Sequence, residues 1–153
     1  MKILDKTVPL ALVSVLNSNW RDRINLKLWQ ELFPDEVRAP WLYSLNGIKG
    51  ETKSFLEDYH EQVLSKNLML GGDFRTLFDD DVFWFGRKVE GVHPGFVDAR
   101  NVLIIGEIGL EMMIGLDYSK SQENPSVIYF NNSLLWVEVS PNLELFLKGV
   151  EMI

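Results

Sequence analysis

The sequence predicts an α+β fold: N-terminal helices, an antiparallel sheet of about five strands and a C-terminal helix. Three observations lead there. Apolar runs of strand length lie at 102–105, 112–116, 127–130 and 134–139, separated by turn-forming clusters. After Pro141 the spacing changes, and Leu143, Phe146, Leu147 and Val150 recur at i, i+3, i+4 and i+7, one apolar helical face. Upstream, residues 7–65 carry further apolar stripes at helical spacing.

Taken in order, Val8, Leu12, Val15 and Leu16 form the stripe of a short first helix within 7–19. Ile24, Leu28 and Leu32 recur every four residues and predict a second, widened by Leu26, Trp29 and Phe33. Asn19 or Asp22 is placed to cap that helix and Pro34 to end it. A third helix is expected with Val37, Trp41, Leu42 and Leu45 on its face and Asn46–Gly47 as its stop. Pro40 within it would kink it or delay its start. Phe55, Tyr59, Val63 and Leu64 mark a fourth helix between Glu51 and Ser65. Gly71–Gly72–Asp73 breaks the pattern, and the aromatic run Val82–Phe83–Trp84–Phe85 reads as a strand.

In the C-terminal third, Gly106 and Gly109 suit a hairpin or a bulge. Asn131–Asn132 suits a tight turn, because Asn tolerates positive φ. Ser140 is placed to cap the last helix, with Pro141 at its first position. No segment is low in complexity, no repeat is visible, and residues 1–153 read as one domain. A sheet of this size is expected to pack one face on helices and leave the other partly open.

The ordered set Ile105–Gly106…Gly109, Gly115–Leu116–Asp117–Tyr118–Ser119, Asn124–Pro125–Ser126–Val127, Trp136–Val137–Glu138–Val139–Ser140 and the closing Phe146–Leu147 helix resembles the SMI1/KNR4 (SUKH) superfamily. Pro34–Asp35–Glu36–Val37, running to Asn46–Gly47, resembles that family's N-terminal segment. Where many members carry a Gly–Asp pair ahead of the Leu–Asp, this chain has Glu111 and Met112. The resemblance spans most of the chain and is weakest over 50–100. It implies the SUKH fold. For a bacterial member it implies an immunity protein that binds and neutralises a cognate toxin, often a nuclease. Fungal members suggest the alternative, an intracellular scaffold or regulatory adaptor.

Composition narrows the chemistry independently. At 153 residues with 46 % hydrophobic and 24 % charged residues, the chain can bury a core without covalent staples. It has no cysteine, which removes disulfides, zinc–thiolate sites and cysteine nucleophiles, and fits a reducing cytoplasm. Lys2 and Lys6 precede the apolar run Val8–Leu16, but Asp5 and the lack of a small-residue cleavage site favour a buried helix over a secretory signal. That run is also too short to span a bilayer. The net charge is −7, made up of +2 over 1–50, −5 over 51–98 and −4 over 99–153. Such a surface repels nucleic-acid backbones and favours a basic protein partner.

No catalytic constellation emerges. His60 and His93 are the only histidines; neither has a metal-ligand spacing, and no HExxH is present. No serine lies in G-x-S-x-G, and Gly106–Gly109 lacks the lysine and following helix of a phosphate loop. Asp79–Asp80–Asp81 alternates along an extended chain and lacks the order of a calcium loop. No enzyme activity, cofactor or metal is therefore expected. The expected function is stoichiometric binding, in which acidic side chains meet a basic groove of the partner and aromatics supply anchors. The candidate contacts are Asp79, Asp80, Asp81, Trp84, Glu57, Glu61, Glu107 and Glu111. Trp84, beside the aspartates, is the tryptophan expected to be exposed, and Trp136 the one expected to be buried.

Overall fold

The structure is a computed structural model, and it describes residues 1–34, 40–64, 84–109 and 112–153. Eight strands are present among them. A short hairpin, β1 (Lys2–Ile3) and β2 (Lys6–Thr7), leads into α1 (Leu10–Leu16), α2 (Trp20–Arg23) and α3 (Leu26–Leu32). Then come β3 (Trp41–Leu42) and the long α4 (Leu45–Tyr59), which runs on through a π-helical turn, His60–Leu64. β4 (Pro94–Gly95), β5 (Val102–Gly109), β6 (Met112–Asp117), β7 (Ser126–Phe130) and β8 (Trp136–Ser140) follow, and α5 (Leu143–Gly149) closes the chain. Every pairing is antiparallel, and six strands form one sheet in the order β3-β5-β6-β7-β8-β4. The α+β class is confirmed, with a sixth strand in the sheet and a separate hairpin beside it.

Alternation along β5 and β7 sorts side chains to two cores. Leu103, Ile105, Val127 and Tyr129 face a core built with Leu12, Val15, Trp20, Trp29, Phe33 and the α5 residues Leu143, Phe146 and Leu147. Val102, Ile104, Ile128 and Phe130 face a second core with Phe55 and Tyr59 of α4, Phe85 and Trp136. All five residues of β7 are buried, so apolar groups cover both faces of this strand, while Met112 and Met113 of β6 and Val137–Val139 of β8 stay half-buried. Trp136, as expected, is wholly buried, and its indole N–H donates to the Trp84 carbonyl at 3.0 Å.

Several local expectations are also corrected. The second helix divides at Ile24–Asn25. Asn25, not Asn19 or Asp22, caps α3 by accepting from the Leu28 N–H at 3.1 Å. Trp29 and Phe33 are the fully buried residues there, while the Ile24–Leu28–Leu32 stripe lies at the core's margin. Over the described residues 40–47 the third helix is not formed as predicted. Trp41–Leu42 pairs with β5, and Ser44 caps α4, so Asn46–Gly47 opens a helix rather than ending one. Val37 lies outside the described residues. Ser140 ends β8, and Asn142 caps α5 by accepting from the Leu145 N–H at 2.9 Å. In the β7–β8 loop the positive φ falls on Leu134, while Asn131 stays as the acceptor for Ser133 and Leu135.

β5 carries two register irregularities, at Ile104/Gly106 and at Glu107/Gly109, which accounts for both glycines. Gly106 is required by close approach. A Cβ there would sit 2.3 Å from the Trp41 carbonyl oxygen and 3.1 Å from a Leu42 methyl carbon.

Candidate functional site

The β3–β5–β6 edge sets the geometry of the site. Glu107 on β5 stands opposite Trp41 on β3 and opposite Met113 on β6, so a charged residue is flanked by large side chains across three strands. The next residues of the β3 segment bring Tyr43 alongside, and its hydroxyl donates to a Glu107 carboxylate oxygen at 3.1 Å. Burial, and then the charge of Glu107, raise the Tyr43 pKa well above the ordinary phenol range. The hydroxyl therefore stays protonated and keeps the carboxylate aimed.

α4 runs across this edge and contributes the opposite wall. Glu51 and Asp58 are seven residues apart, two helical turns, with Ser54 and Phe55 between them on the same side. Trp84 also lines the site. Together these groups and Met113 line a groove of about 240 Å³, in which Phe55 is buried, Met113 and Glu107 are half-buried, and Glu51 and Asp58 are exposed.

Of the eight contacts read from the sequence, the groove unites two, Trp84 and Glu107. Glu57 and Glu61 are exposed but do not line it. Asp79, Asp80, Asp81 and Glu111 lie outside the described residues. Trp84 is half-buried, its ring tilted against Phe130 at 6.1 Å, and it sits with Phe85 in a 3-10 turn rather than the predicted strand. Val82 and Phe83, the rest of that run, are outside the described residues. The more exposed tryptophan is Trp41, at 51 %, with the Arg21 guanidinium 5.2 Å from its ring centroid.

Glu51, Asp58 and Tyr43 were missed. A signal existed for the first two, since acids at i and i+7 share a helix face. None existed for Tyr43, which meets Glu107 across 64 residues of chain.

Among the described residues no group of three or more His, Asp or Glu side chains is arranged to hold a metal ion. No described helix is long and apolar enough to cross a membrane. Compared with protein-family models, curated proteins and solved structures, the chain finds no match in any of the three. What the residues define is an α+β protein with a small groove lined by aromatic and acidic side chains.

Proposed function

We propose that this chain is a non-catalytic binding protein that neutralises a basic protein partner by stoichiometric occlusion, as a cytoplasmic immunity protein of SUKH type. The groove is the observation that carries this reading. Three acidic residues line it together with aromatic and thioether side chains, on a chain of net charge −7. Clustered negative charge speeds encounter with a basic surface, and partly desolvated aromatics supply the contact area that holds it. A toxin acting on nucleic acid needs a basic substrate groove, and an acidic protein seated there would exclude the phosphate backbone. The ordered glycine, Leu–Asp–Tyr–Ser and Trp-strand segments lend the family expectation its support.

The test is capture of tagged protein from its native host, together with the product of the adjacent gene. Recovery of one stoichiometric partner, toxic to cells only when this chain is absent, is the expected result. Several weakly held, non-toxic partners would replace the reading with a scaffold or adaptor.

A further inference from the structure

We infer that the groove between α4 and the β3–β5–β6 edge is a receptor for one arginine side chain projecting from the partner. This rests on the binding reading above and specifies its contact.

Size is the first argument. At about 240 Å³ the groove is smaller than the ~300–1,000 Å³ usual for cofactor and drug-sized ligands, and it suits a single side chain. Its lining is the second. Phe55 and Met113 offer apolar surface for an alkyl stem, while Glu51, Asp58 and Glu107 offer carboxylate acceptors at separate points of the lining. Among the described residues no Lys or Arg lines the groove to neutralise them.

Preorganisation is the third argument. Glu107 is held by the Tyr43 hydroxyl and by its place in the β-ladder, so its oxygens need little ordering on binding. The preference for arginine over lysine follows from shape. A planar guanidinium presents donors along several edges to separate carboxylates, and its face stacks on an aromatic wall such as Trp84 or Tyr43. An ammonium is a compact point charge that gains less from the same walls. A phosphate or carboxylate ligand would be repelled by all three acids.

The experiment is a nuclear magnetic resonance titration of the full chain with three blocked peptides, Ac-Gly-X-Gly-amide, where X is arginine, lysine or citrulline. The expected result is movement of the Met113 methyl and Trp84 indole signals with the arginine peptide. The lysine peptide should bind several-fold more weakly, and uncharged citrulline should leave the signals in place. Glu107→Gln and the double variant Glu51→Gln/Asp58→Asn should each weaken the arginine peptide roughly five- to tenfold. Unmoved signals from the buried Met152 methyl would show that the fold is intact.

Equal shifts with citrulline, or no shift with arginine, would overturn the inference. The two readings fail separately. A captured partner that binds Glu107→Gln as well as the native chain removes the arginine receptor and leaves the binding function. An arginine-selective groove in a chain that captures no protein supports the receptor and removes the occlusion reading.

Discussion

Thr52 on α4 caps a gap in the sheet: its hydroxyl accepts the buried backbone N–H of Ile104 on β5 at 2.9 Å. The gap lies on the β3 side of β5, where β3 ends at Leu42 and the chain turns into α4 at Ser44. A buried amide without a partner is costly, so a helix residue supplies what the neighbouring strand does not. The bond also fixes α4 against β5, the two elements that form the groove walls. Replacing Thr52 by Val keeps the shape and removes the acceptor. Denaturant unfolding should show a loss of about 1–3 kcal/mol, the cost of an orphaned buried donor. Thr52→Ser keeps the oxygen and should cost about 1 kcal/mol, the value of one buried methyl. Equal losses in the two variants would deny the hydrogen bond its role.

Two glycines should respond in opposite directions. Gly106→Ala drives a Cβ against the Trp41 carbonyl, which is backbone and cannot swing aside. β3 must shift, at a cost of about 1–3 kcal/mol, and the Trp41 fluorescence should change with it. Gly50 lies inside α4 with open space around it. There alanine should stabilise by about 0.5–1 kcal/mol through helix propensity and reduced freedom of the unfolded chain. Thermal melts of the two variants decide both points.

Acid should weaken the loop ahead of β5. Asp98 is partly buried, which by itself raises its pKa. The hydrogen bonds from the Arg100 side chain and backbone, with that residue's charge, outweigh burial and hold the pKa below 3.8. A carboxyl with a depressed folded pKa contributes stability above its ordinary pKa and loses it as pH falls toward the folded value. The native chain's advantage over Asp98→Asn should therefore be full at neutral pH and shrink below pH 3.8. Because the Arg100 side chain is half exposed, that advantage should be no more than about 1 kcal/mol. A difference between the two melts that is independent of pH would contradict it.

Charge on the groove should matter more than charge elsewhere on α4. Neutralising Glu51, Asp58 and Glu107 together should lower affinity for the captured partner by roughly a hundredfold and flatten its salt dependence. Glu57→Gln and Glu61→Gln, exposed but outside the groove, should change affinity less than about twofold. Equal effects of the two sets, read by calorimetry, would mean that net charge and not the groove governs binding.

Much of the fold was legible because local spacing reports local structure. The four C-terminal strands and the last helix fell where their apolar runs lie, and Phe55 and Tyr59 were recognisable as one buried helical stripe. Trp41–Leu42 was misread because its spacing with Val37 and Leu45 mimics a helix, while its partner is the distant Glu107–Gly106. Such a short strand has no periodicity of its own to show. The second helix was read on the wrong stripe for a related reason. Ile24, Leu28 and Leu32 are as apolar as Trp29 and Phe33, and only the position of Phe146 and Tyr129 decides which pack innermost. The acidic residues were chosen on charge and predicted exposure, which do not report which of them will line one groove.

By itself the sequence determined the class of fold, the negative charge of the chain and the absence of cysteine chemistry. Those follow from residue type and from spacing within one element, both local quantities. Tertiary structure alone decided that Tyr43 would orient Glu107, that α4 would bring Glu51 and Asp58 to the same groove, and that both faces of β7 would be covered. Each depends on contacts between elements distant along the chain, and side-chain spacing within an element carries no information about which element it will meet.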